Sequence, residues 1–318
     1  MIILVFLIIF KVLFLTFPQA VLEASREGLI LWLNNIIPAL FPFMILVNML
    51  VSMGFAQVIG RFMAPFMKNI FNLPGSGGFA LVTGLTSGYP MGAKAVAGLI
   101  KSGQVSACEG RRLLAFCNNA GPLFILGAVG VGLFRSAAAG YILWAGHVLS
   151  AIILGVLLRF LPPYERELPH GPAPAAPPVA RDNWQPLSPE KALGDAVKNA
   201  MEAMAMIGGL VIFFSAVTAA LKETIVPAQG YISGLVTGLI EVSGGAERMA
   251  AYGVTLPAMG GAAFIIAFGG LSVHMQTLHF TEGAGIKANV YLAHKLLHGL
   301  LAAAVTIFIC VIANFAVK

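Results

Sequence analysis

The chain has 318 residues, of which 58% are hydrophobic and only 10% charged, and its mean hydropathy is +0.89. A soluble domain carries roughly 25% charged residues, so this composition excludes one and calls for several membrane spans of about 20 apolar residues each. The net charge of +6 comes from Lys and Arg scattered singly between apolar segments, which reads as a topology signal rather than a nucleic-acid surface.

Met1 to Phe17 is apolar with Lys11 inside it, and it has neither a basic leader nor a small-residue cleavage site. It is therefore expected to be a retained first span, with residues 1–27 forming an extra helix and loop. A first repeat over 28–160 reads as a span from Gly28 to Met53, a broken segment from Gly77 to Ile100, an interrupted span from Leu113 to Phe134 and a final span from Ala137 to Phe160. Residues 161–190 hold half of the chain's 18 prolines and are expected to form an exposed cytoplasmic linker. The second repeat, 191–318, shows the same order over Ala192 to Leu221, Tyr231 to Tyr252, Leu256 to Phe280 and Asn289 to Val317.

The pentapeptide LVTGL opens the broken segment of each half, at Leu81 to Leu85 and at Leu235 to Leu239. Paired interrupted segments at matching places in two halves point to a transporter built from inverted repeats, with its substrate site between them. If each broken segment re-enters without crossing, each half crosses three times and the second half is inverted. With the N-terminus in the cytoplasm, Arg61, Lys68, Lys101, Arg111, Arg112, Arg159, Arg166, Arg181, Lys191 and Lys287 then fall inside, and only Arg26, Arg135, Lys222, Arg248 and Lys318 outside. The repeat has a plainer reading as well. Its small residues, Ala80 with Gly84 and Gly234 with Gly238, are four apart, a spacing that lets helices approach closely.

Four breaks carry the candidate substrate-binding residues. In SGYPMGAK, Pro90 removes a backbone donor and biases Tyr89 away from helical angles, so Ser87, Gly88 and Tyr89 form a break that must line a cavity or be buried by protein. The helix beginning near Met91 aims its amides at that break, and Lys94 in its first turns would reinforce anion attraction. The string lacks the spacing of a phosphate loop. In CNNAGP, Asn118 and Asn119 are costly at membrane depth unless they bond backbone, ligand or each other. Glu241 precedes Ser243 in GLIEVSGG and can bind a coupling cation or a polar substrate edge, or pair with Lys94. In FGGLSVHMQ, Ser272, His274 and Gln276 alternate with apolar residues, as an extended stretch would, and His274 can take up a proton near neutrality.

The remaining signals are weaker. Cys108, Cys117 and Cys310 form no disulfide or zinc pattern. His294 and His298 are one helical turn apart but lack a glutamate base, which favours packing over metal binding. Glu202 is a further acid within an apolar segment. No metal set, cofactor motif or catalytic set is present, so the chain reads as a non-enzyme.

The strings PALFPF (38–43), SGYPMGAK (87–94), CNNAGPLFILGAVG (117–130), GLIEVSGG (238–245) and GGLSVHMQ (269–276) together resemble the sporulation integral membrane protein family known as YlbJ or SpoVV, within the wider nucleoside-recognition or gate-domain group. The resemblance implies transport of dipicolinate, a small aromatic dicarboxylate, across the outer forespore membrane. It also implies an architecture similar to concentrative nucleoside transporters, with two re-entrant hairpins and two unwound helices around a central site. The expectation is thus an all-α polytopic membrane carrier of a small anionic or aromatic substrate, contacting lipid, with a proton or sodium as coupling ion and homo-oligomerisation left open. A nucleoside or nucleobase carrier and a non-transporting scaffold of sporulation are the alternatives.

Overall fold

The computed structural model describes residues 2–53, 55–160, 188–224 and 230–315, and every regular element among them is helical. Helix α1 (Ile2–Thr16) is about 22 Å long at 1.5 Å per residue, short of the ~30 Å hydrocarbon core. It turns by 102° at Phe17 into α2 (Pro18–Leu31), where Pro18 takes the first helical position and so gives up no intrahelical bond. The helix expected to start at Gly28 starts at Pro18, so α1 and α2 are a pair bent at Phe17 with helix where residues 18–27 were expected to be loop. A π-helical turn (Trp32–Ile36) carries α2 into α3 (Ile37–Ser52). Both pack on α9 (Pro189–Lys222), where the Trp32 indole donates to the Met204 carbonyl at 3.0 Å.

Amphipathic α4 (Phe55–Phe66) has no counterpart in the expected order. It ends in a π-helical turn (Met67–Phe71) closed by left-handed Asn72. The first broken segment is a hairpin of α5 (Gly77–Ser87) and α6 (Met91–Lys101). Each arm spans only about 16 Å, so neither crosses a bilayer alone. Helix α7 (Ala107–Cys117) opens on a capping box of Ser106 and Glu109 and is followed by the non-helical run 118–121. The chain then rewinds as a wide π-helical segment (Leu123–Leu133) before α8 (Ala137–Arg159).

The proline-rich linker, over residues 161–187, lies outside the described residues. Helix α9 starts directly beyond it, capped by Ser188, and at about 51 Å overshoots the bilayer core. A second hairpin follows, α10 (Tyr231–Ile240) and α11 (Val242–Ala250), then α12 (Leu256–Phe268), α13 (Gly270–Phe280) and α14 (Ala288–Ile312). Among the described residues four helical stretches are long and apolar enough to cross a membrane: α8, α9, Leu256–Phe280 and α14; the bent α1–α2 pair is a fifth if counted as one span. The protein is therefore an all-α polytopic membrane protein. Both halves place a short-armed hairpin before an interrupted helix and a long final one.

Three of the basic residues assigned to one face bond backbone carbonyls of other segments. Arg112 donates to the Phe71 carbonyl at 2.7 Å, Arg159 to the carbonyls of Asn69 and Ile70, and Arg111 to Gly285 at 3.2 Å. Arg112 and Arg159 thereby close carbonyls that the end of the Met67–Phe71 turn leaves open, and Arg111 ties down the loop before Ala288.

The two LVTGL copies pack differently. In the first, a methyl group on Gly84 would stand 1.6 Å from the Cys117 carbonyl oxygen, so α5 touches the end of α7 through bare backbone. In the second, Gly238 lies against Gly245 of its own hairpin and under the side chain of Ile265. Overpacking typically costs about 1–3 kcal/mol, so Gly84→Ala should lower the thermal midpoint of the detergent-purified protein by several degrees. Gly98, in α6 with open space around it, is the control: Gly98→Ala should leave the midpoint unchanged or raise it by the few degrees that up to about 1 kcal/mol of helix propensity gives.

Candidate functional site

Ser87 ends α5, and Gly88 leaves the helix with φ +81°, a left-handed turn that brings its Cα against the backbone of Gly121. The Tyr89 N–H donates to the Asn119 carbonyl at 2.5 Å, joining the first hairpin break to the Asn118–Pro122 break. In the second half, left-handed Gly269 and Gly270 (φ +93° and +69°) interrupt α12–α13, and Gly270 lies against the carbonyls of Gly238 and Ile240 at the second hairpin break.

Asn118 joins the halves. Its Nδ2 donates to Thr277 Oγ1 at 2.7 Å and to the Tyr291 hydroxyl at 2.9 Å, while Thr277 in turn donates to the Val273 carbonyl. Asn119 is spent locally, its Nδ2 donating to the Phe116 carbonyl at 2.7 Å. His274 is fully buried, edge-on to Phe268 (4.5 Å between centroids) and to Tyr291 (5.4 Å). Tyr89 lies within electrostatic reach of both Glu241 and Tyr291. The four breaks therefore meet around one polar centre.

Several atoms in that centre have no hydrogen-bond partner: Ser87 Oγ, Tyr89 Oη, Asn118 Oδ1, Asn119 Oδ1, Thr237 Oγ1 and both ring nitrogens of His274. Buried polar groups are otherwise almost always paired, so this set makes the centre the candidate site. An apolar groove of about 420 Å³, lined by Leu40, Phe43, Ser87, Gly121, Pro122 and Leu123 among others, leads to the first pair of breaks and is within the size range of ligand sites.

Glu241 sits in the second break with its carboxylate accepting the Ser243 N–H at 3.0 Å and the Gly244 N–H at 2.7 Å. It caps α11, so the chain's own anion fills that helix N-terminus. Helix α6, by contrast, has no side-chain cap. Lys94 does not pair with Glu241 across the core; it is half-buried on α6, within electrostatic reach of exposed Glu202 on α9. Ser272 and Gln276 are buried along α13, which packs on α9 and α6. The stretch holding Ser272, His274 and Gln276 is helical, which corrects the extended reading: two left-handed glycines suffice for the break and the helix resumes at once.

The most consequential residue that sequence reasoning passed over is Lys295. It is 1% exposed on α14, and its Nζ donates to the Asn118 carbonyl at 2.9 Å and lies 2.9 Å from Nδ1 of His298. His298 is thus a core group rather than interfacial packing. A Lys three residues before a His in an apolar helix was the available signal, but only the fold shows that both turn inward. Among the described residues no His, Cys, Asp or Glu cluster could hold a metal ion.

An all-α polytopic membrane protein whose helices break around a shared polar centre is the class that this geometry defines. Residues 33–117 match the model of the Gate family, described as nucleoside recognition. Over 313 residues the chain is 33% identical to the sporulation integral membrane protein YlbJ of Bacillus subtilis (strain 168), covering 90% of this chain and 76% of that protein. The chain belongs to that family. No solved structure matches it.

Replacing Glu241 by Ala removes the α11 cap and should destabilise the protein by about 1 kcal/mol, whereas Glu241→Gln keeps an acceptor oxygen and should cost less. Thermal unfolding in detergent reads the difference. Equal midpoints for the two variants would show that the cap does not stabilise.

Proposed function

We propose that the protein is a carrier, without a catalytic step, for a small anionic metabolite, with dipicolinate the first candidate substrate. The observation that carries this reading is the convergence of four helix interruptions on one buried centre rich in unpartnered polar atoms. Irregular backbone at membrane depth is tolerated only where protein buries it or a cavity meets it, and paired breaks are where carriers hold substrate.

The reading assigns the anion to the uncapped N-terminus of α6, with Lys94 drawing it in and Ser87, Tyr89, Asn118, Asn119 and His274 contacting carboxylates and ring. Glu241 and Ser243 close the opposite hairpin, and Ser272 and Gln276 lie behind it. Two inverted repeats around this centre would alternate its access, with the N-terminus in the cytoplasm. The name of the Bacillus relative supports a role in sporulation, and the outer forespore membrane is the location that role implies. The test is dipicolinate binding to purified protein. Lys94→Ala should weaken it at least about tenfold, as loss of a charge-assisted contact of 1.5–3 kcal/mol requires, and unchanged affinity removes Lys94 from the site.

The match to a family described as nucleoside recognition favours a second reading, a nucleoside or nucleobase carrier. Competition in proteoliposomes decides between them. Excess uridine should leave dipicolinate uptake unchanged if the first reading holds, and uridine uptake insensitive to dipicolinate would establish the second.

A further inference from the structure

We propose that Lys295, His298 and His147 form a proton-binding site that grips and releases the unwound segment Asn118–Pro122. The three side chains come from two helices, Lys295 and His298 from α14 and His147 from α8, and none is more than 2% exposed. Lys295 holds the Asn118 carbonyl at 2.9 Å, and His147 Nε2 accepts the Ala120 N–H at 3.1 Å. The two imidazole rings lie 5.1 Å apart, and Lys295 Nζ is 2.9 Å from His298 Nδ1. The cluster therefore clamps the unwound backbone from two sides.

Among the described residues no carboxylate acts on Lys295, His298 or His147. The titratable groups nearest the cluster on the packed elements are Cys117 from α7, His274 from α13, and Tyr291 and His294 from α14 itself. Helix α12 and the π-helical segment Leu123–Leu133 contribute none, and the other titratable residues of α8, Tyr141 and Arg159, lie toward its ends. A buried cation without a counter-charge at membrane depth is costly and marks proton pathways.

The hydrogen bonds dictate what a proton does here. Because Ala120 N–H donates to Nε2, neutral His147 carries its proton on Nδ1, an atom with no partner. A proton added at Nε2 turns that acceptor into a donor, and the bond to Ala120 is lost. Within the pair, an ammonium at Lys295 can pass a proton to His298: an N–H bond breaks at Nζ and forms at Nδ1, and the amine lone pair then accepts from the new imidazolium N–H. Either event alters the hold on Asn118–Ala120, the segment that carries both amides and, through the Asn119 carbonyl, the Tyr89 N–H. Calling this proton coupling rests on the carrier reading above; the proton site and its grip on the backbone do not.

Hydrogen–deuterium exchange of peptides covering residues 116–121, in the purified full-length protein at about pH 7.5 and about pH 5.5, tests the grip directly. After correction for intrinsic rates, opening at Ala120 should rise roughly tenfold on acidification, the effect of one unit of proton linkage. His147→Gln keeps an acceptor oxygen but takes up no proton, and should abolish that dependence. A flat wild type, or a His147→Gln variant with the same dependence, overturns the proposal. If His147→Gln does not purify as a folded protein, His298→Asn, which still accepts from Lys295, must show a weakened dependence, and an unchanged one overturns the proposal. In proteoliposomes with entrapped pyranine, wild type should move protons with dipicolinate, while His147→Gln keeps dipicolinate counterflow and loses at least about tenfold of the proton signal. Counterflow with unchanged proton movement overturns the proposal; absence of wild-type counterflow overturns the carrier reading for dipicolinate and leaves the exchange result to decide the proton site.

Discussion

In a bilayer every backbone N–H and C=O must find its partner inside the protein, and this chain breaks its helices at four places. Each break is therefore tied down by something specific. The Asn118–Pro122 run is held by Lys295 at the Asn118 carbonyl, by His147 at the Ala120 amide and by Tyr89 at the Asn119 carbonyl. The second hairpin is held by the Glu241 carboxylate on two amides of α11. Glycines let the remaining strands of backbone come close enough for breaks to cover one another, as Gly88 does on Gly121 and Gly270 on Ile240. The polar centre exists because the four breaks shield each other from lipid.

Charge follows the same constraint. Arg112 and Arg159 are used on carbonyls that a helix end leaves open, both serving the Asn69–Phe71 turn. Inside, the two hairpins differ. Glu241 neutralises its own helix N-terminus, whereas α6 keeps an uncapped one with Lys94 on its first turns. The order of elements repeats, but the electrostatics of the two hairpins do not.

Much of this was legible in advance because the signals are local. Pro90, the Asn118–Asn119 pair and the Gly269–Gly270 pair each interrupt an apolar run, and all three breaks fall where those residues stand. The first hairpin ends within a residue of its expected bounds, Gly77–Lys101 against Gly77 to Ile100, and the second within two, Tyr231–Ala250 against Tyr231 to Tyr252. What misled was also local. Alternation of Ser272, His274 and Gln276 mimics a strand, yet on α13 the exposed stripe is Leu271, Met275 and His279, four residues apart, and the polar residues stand among the buried positions of the same helix. The 102° turn at Phe17 left no polar loop to announce it, and α4 was hidden because an amphipathic helix of 12 residues is too short and too mixed to read as a span.

Composition and helix-breaking residues by themselves determined that the chain is an all-helical membrane protein, and where its helices fail. Those properties depend on neighbours within a few residues of each other along the chain. Only the tertiary structure decided which breaks face one another, that Glu241 caps its own helix instead of meeting Lys94, and that Lys295, His298 and His147 close on the unwound segment. His147 and Lys295 reach that segment from 27 and 177 residues away in sequence, and an apolar helix does not declare which of its faces turns inward until other helices pack on it.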